Sequence, residues 1–326
     1  TDFLEECGNA TYCHLYEWKY VFEKAYGLNT HYLSLSENDE LVAVLPLAEL
    51  PRFPFSVRRA ISLPYNIYGG PICRNPETKV EHLTQFTAEL ASLGINLIEI
   101  RTAGDSQVIS DEVAMILNLP STLEDLWRSI GPKVRNLIRK SEKYEFVAHW
   151  GHDGLPDFYN VYSTNIGRLG TPVHSMGYFS EILSNLGDRA MILTLSIKSQ
   201  AIASMFVIRF KNSYAVPFAS SLAEFNKYNP NMFMYWEALK MACSEGASYF
   251  DFGRSNINSG TCRFKKQWGS HSVSLDYFSM KNCSRVDESS VHHYRGRKAN
   301  MISYIWSNLP YGIQKKIGPL LRKRIP

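Results

Sequence analysis

Residues 191–220 read MILTLSIKSQAIASMFVIRFKNSYAVPFAS, which is three apolar runs separated by short polar breaks. Runs of this length that are rich in β-branched and aromatic residues and bounded by turn residues are typical of β-strands. A helical pattern and a fourth strand follow them. The predicted elements of this half are strand, strand, strand, helix and strand, at Met191–Ile197, Ala201–Arg209, Tyr214–Ser220, Met232–Glu245 and Tyr249–Phe252.

The first half of the chain predicts the same elements in the same order. They lie at Thr30–Ser36, Leu41–Leu50, Arg59–Leu63, Glu77–Ser92 and Asn96–Arg101. Glu37-Asn38-Asp39-Glu40 predicts a hairpin between the first two strands, and Lys198-Ser199-Gln200 takes the same place in the second half. Corresponding elements are separated by about 155 residues, and chance would have to reproduce both the order and the spacing. The pattern favours a duplication over a coincidental likeness between mixed domains. We expect a mixed α/β (α+β) fold with two tandem domains of the same topology.

Composition and charge restrict the class of protein. The 326 residues are 45% hydrophobic and 20% charged, as in a soluble globular protein with about two domains. Residues 281–326 contain ten Lys and Arg against Asp287 and Glu288, so this tail carries a net charge of +8 and the remaining chain carries −4. A basic tail on a near-neutral body favours a polyanionic partner such as RNA, an anionic membrane leaflet or a phosphorylated substrate.

Six scattered cysteines have neither disulfide nor zinc spacing, which is typical of the reducing cytoplasm. We expect no metal. No long apolar stretch and no signal pattern is present, so we expect a cytoplasmic protein that is able to work at a membrane surface. Motifs for nucleotide hydrolysis, dinucleotide binding, serine esterases and zincins are missing. The pyrophosphate loop of simple N-acetyltransferases, [Q/R]-x-x-G-x-[G/A], is missing too.

Two basic segments have apolar stripes at helical spacing. Ser121-x-x-Glu124 predicts a capping box that opens a helix over 121–143, interrupted at Gly131-Pro132. Its polar face is either solvated or faces phosphates, and carries Arg128, Lys133, Arg135, Arg139, Lys140 and Lys143. The tail repeats apolar residues from Met301 to Leu321 among basic ones. It either lies at a membrane interface or packs back on the body.

Two loops carry the candidate site. In the first, SLPYNIYGGP at 62–71, Gly69 and Gly70 allow a positive φ or a close ligand approach, so the loop is either a binding loop or a tight turn. In the second, over 247–269, Asp251 lies on an apolar strand where a carboxylate needs a partner, and Arg254, Lys265 and Lys266 are available. That pair either fixes the loop or holds a cation toward an oxyanion or a phosphate.

In this order the motifs resemble the FemABX family, tandem acetyltransferase-like (GNAT-fold) enzymes that transfer amino acids from aminoacyl-tRNA to peptidoglycan precursors. The nearer resemblance is to the FemAB-related branch, often found beside exopolysaccharide and PEP-CTERM export genes. The resembling stretches are Trp18–Gly27, Val44–Leu47, Tyr68–Pro71, Val134–Lys140, Thr164–Val173, Asp251–Ser255 and Phe264–Gly269. The resemblance implies two tandem GNAT domains, which we place at 1–145, with the basic helix at 121–143, and at 146–280. Residues 281–326 form a basic amphipathic tail, for which packing back on the first domain is one of the two alternatives.

The resemblance also implies roles for single residues. Lys265 is expected to hold the acyl-tRNA end and to stabilise the tetrahedral oxyanion, and Arg168 to contact the diphosphate of a nucleotide-linked precursor. The loop after Asp251-Phe252-Gly253 departs from the peptidoglycan enzymes by carrying Arg254-Ser255. Candidate catalytic residues are Lys265, Asp251 and Arg254; candidate substrate-binding residues are Arg168, Tyr65, Asn66, Tyr68, Trp18, Phe264, Ser255 and Trp236.

The predicted activity is direct acyl or aminoacyl transfer to an amino group of a cell-envelope polysaccharide or peptidoglycan precursor. The donor is aminoacyl-tRNA, an acyl-carrier protein or acyl-CoA, with no bound cofactor. An acyl-CoA- or acyl-carrier-dependent N-acyltransferase of the same fold and a non-catalytic scaffold of an export system are the alternatives. Expected partners are the precursor, tRNA and, peripherally, the inner membrane.

Overall fold

The structure is a computed structural model that describes residues 2–51, 58–104, 111–281, 284–286 and 303–325. The α-helices are α1 Asp2–Glu6, α2 Trp18–Tyr26, α3 Lys79–Ser92, α4 Leu123–Ser129, α5 Pro132–Ser141, α6 Leu155–Arg168, α7 Met176–Leu186, α8 Pro230–Ser244, α9 Gly260–Lys266 and α10 Tyr311–Arg322. The strands are β1 Thr30–Glu37, β2 Glu40–Glu49, β3 Arg59–Ile61, β4 Ile72–Cys73, β5 Leu97–Ala103, β6 Glu112–Asn118, β7 Val147–Trp150, β8 Ala190–Ile197, β9 Gln200–Phe210, β10 Ser213–Ser221, β11 Tyr249–Asn256, β12 His271–Lys281 and β13 Ser284–Val286. Residues 303–307 are also helical.

The chain divides into two compact units. The first unit comprises Thr1–Ser110, Ser274–Asn300 and Leu320–Pro326, and the second comprises Asp111–Val273 and Met301–Pro319. This division differs from the boundaries expected from the sequence, because residues 111–145 lie in the second unit. The boundaries 1–145, 146–280 and 281–326 stay a prediction.

The first unit contains the sheet order β1-β2-β3-β5-β12, with β4 on β2 and β13 on β12. Strands β3 and β5 are parallel, and the other neighbours are antiparallel. Helix α3 buries Leu83, Phe86 and Leu90 against this sheet, since these residues recur at helical spacing on one face. The expected β-β-β-α-β order is confirmed here.

The second unit repeats this arrangement in the order β7-β8-β9-β10-β11-β6. Here β10 and β11 form the parallel pair, and α8 packs its apolar residues into the core. In each unit the strand beyond the parallel pair is antiparallel to it: β6 beside β11 and β12 beside β5. Strand β6 follows β5 in sequence and β12 follows β11, so the chain leaves the first unit before β6 and returns to it within β12.

Both predicted hairpins close through residues with left-handed backbones. Asn38 and Asp39 have φ of 50° and 65°, and Lys198 and Ser199 have φ of 48° and 64°. Positive φ at both central residues is the geometry whose twist matches that of the flanking strands.

The basic segment over 121–143 forms two helices, α4 and α5, and the break at Gly131-Pro132 is as predicted. The predicted capping box at Ser121 is wrong by one residue. Thr122 is the N-cap, and its hydroxyl accepts a hydrogen bond from the backbone N–H of Asp125 at 3.1 Å. Thr122 occupies the extended N-cap conformation, so its own oxygen reaches the first turn.

The backbone of the 62–71 loop is tightly packed, as in the tight-turn alternative, and the close approach of a ligand stays a prediction. Gly69 has φ of +155°, and a Cβ there would lie 2.5 Å from the carbonyl oxygen of Ser62. A Cβ at Gly70 would lie 2.9 Å from the Cβ of Thr102. Backbone of this loop therefore packs directly on β5 and on its own start, where a side chain has no room.

Residues 303–319 pack on the second unit around the turn that follows α6. Gly170 has φ of +78°, and a Cβ on it would lie 2.5 Å from the carbonyl oxygen of Ser303. The hydroxyls of Tyr311 and Ser163 are 2.8 Å apart. This part of the tail therefore packs on the body through one of its faces.

Replacing Gly170 by alanine should destabilise the protein by more than about 1–2 kcal/mol, since the left-handed backbone alone costs that much for an L-residue. The steric conflict with Ser303 adds to this cost. Gly312→Ala is the matched control, because no heavy atom lies within 4 Å of its added Cβ inside α10. Urea unfolding should show unchanged or higher stability for Gly312→Ala; equal stabilities for the two variants would contradict this packing.

Candidate active site

A gap in the second unit's sheet opens where its two parallel strands stop pairing. Strands β10 and β11 pair only from Ser213↔Tyr249 to Ala215↔Asp251, although they run on to Ser221 and Asn256. Register shifts in both strands directly follow the last pair. In the unpaired half of β10, Ala219, Ser220 and Ser221 line a cleft.

This cleft consists of two adjoining cavities of about 430 Å³ and 320 Å³. Four residues line both of them, so they form one groove: Asn165, Ser221, Asn231 and Phe264. Helix α6, strand β10, the start of α8 and helix α9 supply these side chains. A groove of this size is large enough for a small-molecule or acyl group.

Amide and hydroxyl groups line one wall and are connected by hydrogen bonds. Arg168 donates to Asn165 Oδ1 at 3.0 Å, and Asn165 donates to Ser220 Oγ at 3.3 Å. Asn231 donates to Ser221 Oγ at 3.0 Å, and Ser221 donates to Asn226 Oδ1 at 3.3 Å. This wall can exchange hydrogen bonds with a polar, uncharged substrate group.

The opposite wall is aromatic. The Tyr235 and Phe264 rings have centroids 5.3 Å apart, and Phe264 also packs edge-on against Trp268 at 6.3 Å. Burial raises the pKa of Tyr235, so its hydroxyl stays protonated. Among the described residues, the indole N–H of the buried Trp268 has no hydrogen-bond partner. A planar substrate group can stack on this wall.

Strand β11 has a bulge between Asp251 and Arg254, and Lys265 fixes its shape. Gly253 has φ of +79° within the bulge, and its N–H donates to Asp251 Oδ1 at 2.7 Å. Lys265 Nζ donates to the carbonyl oxygens of Gly253 at 3.0 Å and of Arg254 at 2.9 Å. Only 5% of Lys265 is exposed. Lys265 therefore fixes the shape of this loop through two backbone carbonyls, and both predicted roles of its pairing with Asp251 stay predictions.

Burial lowers the pKa of Lys265 from its ordinary 10.5 to about 8, although the Asp251 carboxylate acts in the opposite direction. The side chain therefore changes charge close to neutral pH. Lys265 does not line either cavity, whereas Phe264 beside it and Thr261, one helical turn earlier, do. Because residues four apart share a helix face, Lys265 leaves α9 on the side of Thr261.

The other predicted residues of this loop are placed differently. Arg254 is partly exposed and donates to Glu112 on β6 at 3.1 Å. Ser255 is buried, and its hydroxyl has no hydrogen-bond partner. Arg168 is exposed at the mouth of the cleft. Four candidates thus gather around the cleft and the bulge beside it: Lys265, Asp251, Phe264 and Arg168.

Trp236 and Trp18 make the contacts of core residues. Trp236 packs against Trp127 with ring centroids 5.0 Å apart, and lines neither cavity of the cleft. Trp18, in the first unit, is fully buried, and its indole donates to the Tyr12 carbonyl oxygen at 2.9 Å.

The remaining candidates belong to the loop of the first unit. Tyr65 donates its hydroxyl to the Lys323 carbonyl oxygen at 2.9 Å, and the buried Asn66 has an amide nitrogen with no partner. Tyr68 lines a separate cavity of about 220 Å³ together with Lys79 and His14. Burial lowers the pKa of His14 to about 4, so it is neutral at pH 7.

The cleft also depends on residues that the sequence reading did not single out. Asn165, Ser221, Asn231 and Tyr235 line it. The Asn229-Pro230-Asn231 stretch was the available signal, because proline is favoured in the first turn of a helix and marks the start of α8 beside the cleft.

A basic helix face borders the cleft. Leu137 of α5 lines the larger cavity. Lys133 and Lys140 lie four residues before and three residues after it, so they share its face, and both are exposed. The phosphate-facing strip stays a prediction, because exposed lysines also fit a solvated face. Arg139 lies over the Trp127 ring at 5.3 Å, and Arg128 pairs with Glu124.

In the described part of the chain, no three His, Cys, Asp or Glu side chains are grouped to hold a metal ion. Within those residues, too, every helix is too short or too polar to cross a bilayer.

Comparison with known proteins identifies the domain type. Residues 129–266 match the family described as acetyltransferase (GNAT) domain. No curated protein sequence matches this chain.

The fold is similar to that of several solved structures. FemX has a TM-score of 0.64 at 14% identity, covering 87% of this chain and 93% of FemX. L-PGS from Bacillus licheniformis has a TM-score of 0.57 at 12% identity, covering 93% and 94%. The C-terminal domain of a putative lysylphosphatidylglycerol synthetase from Agrobacterium fabrum has a TM-score of 0.55 at 10% identity, covering 93% and 96%.

Lys265 should make the stability of the second unit depend on pH. A lysine whose pKa is lower in the folded state binds fewer protons there than in the unfolded chain, so the free energy of unfolding rises with pH between about 8 and 10.5. Subtracting the urea-unfolding free energies of Lys265→Met from those of wild type, at pH 7.5 and 9.5, should give a larger difference at pH 9.5. A difference independent of pH would contradict the buried ammonium.

The GNAT-domain match and the duplicated sheet topology agree on the fold that the sequence predicted. The chain is an acyltransferase with GNAT-fold architecture, and its matched acetyltransferase (GNAT) domain contains the cleft between β10 and α9.

Proposed function

We propose that the protein transfers an aminoacyl group from aminoacyl-tRNA to an amino group of a cell-envelope polysaccharide or peptidoglycan precursor, as a FemAB-like enzyme of the cytoplasm. The observation that carries this proposal is the cleft itself. It combines an amide-lined wall, an aromatic wall and a bordering basic helix face, and it lacks a glycine-rich phosphate loop.

The strand-to-helix junction of the second unit supports aminoacyl-tRNA as the donor. The residues between β10 and α8, LAEFNKYN at 222–229, contain no glycine. Helix α8 then begins at Pro230, which has no N–H to offer a diphosphate. Cations are supplied instead by Lys133 and Lys140 on α5 and by Arg168 in the cleft. Point charges along an exposed face suit a nucleic-acid backbone better than a single buried diphosphate.

The amide-lined wall of the cleft supports a sugar or a peptide as the acceptor. Asn165, Asn231 and Ser221 offer both donors and acceptors, which matches the hydroxyl and amide groups of a sugar or peptide. Phe264 and Tyr235 offer a stacking surface for a base or a sugar ring. Roles for Tyr65, Asn66 and Tyr68 in binding the acceptor stay a prediction.

The chemistry needs no nucleophile from the protein. The acceptor amine attacks the ester carbonyl carbon, which becomes a tetrahedral oxyanion. Collapse breaks the bond to the ribose oxygen, and that oxygen takes up the proton released by the amine. Two of the three N–H groups of the Lys265 ammonium donate to the carbonyl oxygens of Gly253 and Arg254. The third N–H stabilises the oxyanion. Asp251, which favours the charged lysine, keeps that donor available.

Removing the ammonium should slow transfer far more than it weakens substrate binding. Losing one oxyanion donor typically costs about 10²–10³ in kcat, so Lys265→Met should fall in that range with a small change in KM. Lys266→Met is the matched control, because Lys266 is the exposed neighbour on α9. Transfer by Lys265→Met at the wild-type rate, in protein with a native circular dichroism spectrum, would refute the catalytic role.

The basic face of α5 should carry the affinity for charged tRNA. Lys133→Gln/Lys140→Gln should weaken binding and reduce the slope of log K against log salt by roughly 1.5, since each phosphate contact contributes about 0.7–0.9. Lys198→Asn/Lys211→Asn removes the same charge at two turn positions whose left-handed backbone asparagine accepts.

Filter binding across a salt series measures both pairs of variants. An equal loss of tRNA affinity in the two double variants would contradict a specific role of α5, because only the net charge of the protein would then matter. No binding of charged tRNA by wild type would remove tRNA as the donor.

The second candidate is acyl-CoA-dependent N-acylation of an exopolysaccharide amino sugar by the same cleft. The match to the acetyltransferase (GNAT) domain family favours it. It predicts saturable acyl-CoA binding that is insensitive to Lys133→Gln/Lys140→Gln. Acyl transfer from a carrier protein would give neither result.

A further inference from the structure

We infer that the outward face of the C-terminal segment, residues 304–324, is a docking surface for an anionic lipid bilayer. We call it the tail face. The inference is independent of the proposed function, because it concerns where the protein lies and not what it transfers.

The inward side of this segment is fixed by contacts. Gln314 is buried and donates to the carbonyl oxygens of Trp306 and Leu309, both at 2.9 Å. A Cβ on Gly318 would lie 2.9 Å from Val173. Lys315 lies over the Tyr159 ring at 5.1 Å. Residues 314, 315 and 318 therefore define the side of α10 that packs on the second unit.

The opposite side of α10 is apolar and open to solvent. Ile313, Ile317 and Leu320 are 41%, 41% and 62% exposed. Their spacing of four and three residues places them in one stripe along the helix. Tyr304 and Ile305, on the helical turn before α10, are 72% and 54% exposed. Five large apolar side chains within 17 residues form a patch, whereas isolated exposed apolar residues are ordinary.

Charge identifies the occupant. Residues 289–326 contain eight Lys and Arg and no Asp or Glu. Lys316 lies next to the apolar stripe and Arg324 follows it, and both are exposed. An apolar stripe flanked only by cations matches the interface of a bilayer with anionic headgroups, to which each Lys or Arg adds electrostatic attraction.

The length of the helix fixes the mode of binding. Helix α10 has 12 residues, so it is about 18 Å long and shorter than the roughly 30 Å of a bilayer core. It can lie in the interface plane with the stripe inserted, while Gln314 and Gly318 keep their contacts with the protein. Binding in this mode needs no change in the fold.

Co-sedimentation of the full chain with vesicles tests the inference. We expect binding to vesicles of phosphatidylglycerol and phosphatidylcholine, little binding to phosphatidylcholine alone, and release by salt. Ile317→Gln/Leu320→Gln should lower the partition coefficient about tenfold or more, because two aliphatic side chains no longer insert. Lys316→Gln/Arg324→Gln should lower it at low salt and match wild type at high salt.

Val80→Gln/Leu93→Gln is the matched control, because it removes two exposed apolar side chains from the first unit. It should bind vesicles like wild type. Wild type that ignores anionic vesicles, or tail-face variants that bind like wild type, would overturn the inference. So would a wild-type dimer in sedimentation equilibrium that Ile317→Gln/Leu320→Gln dissociates, since the face would then join two copies. Acyl transfer to a water-soluble acceptor should be unchanged in all these variants, which separates this inference from the proposed function.

Discussion

The site depends on one buried ammonium that holds a bulge open. Lys265 donates to the carbonyl oxygens of Gly253 and Arg254, where the register of β11 against β6 shifts between Asp251 and Arg254. A buried carbonyl left without a partner costs about 1–3 kcal/mol, so these hydrogen bonds stabilise the bulged strand. The bulge follows the last pair between β10 and β11. The lysine thereby fixes the shape of β11 from helix α9, whose Thr261 and Phe264 line the cleft.

The same ammonium connects folding to chemistry. Burial makes Lys265 expensive to charge, and its pKa of about 8 shows that the protein has not removed this cost. A methionine could fill the space but could not satisfy two carbonyls. A lysine that still has a hydrogen to donate can serve both the loop and an oxyanion close to Phe264. For this reason we propose the central role in transfer for Lys265, whereas Arg254 pairs with Glu112.

Local sequence was enough to predict the hairpins, the break at Gly131 and the tight packing at Gly69 and Gly70, because each follows from the backbone preferences of a few residues. It could not reveal that β6 pairs with β11 and β12 with β5, since strand pairing across long loops is decided by packing. The cleft residues Asn165 and Asn231 were missed because single amides carry no periodic signal. The hydrogen-bond acceptors of Lys265 were also missed. The sequence suggested the Asp251 carboxylate as its partner, whereas the carbonyl oxygens of Gly253 and Arg254 accept its hydrogen bonds.

Mass analysis of a single turnover most directly tests the proposed direct transfer from aminoacyl-tRNA to the precursor. Wild-type protein is mixed in excess with labelled aminoacyl-tRNA and the native envelope precursor, and protein and precursor are weighed after quenching. Direct transfer predicts that the label moves to an amine of the precursor and forms an amide there, and that the mass of the protein never changes. A covalently acylated protein, or transfer that requires a CoA thioester, would contradict it.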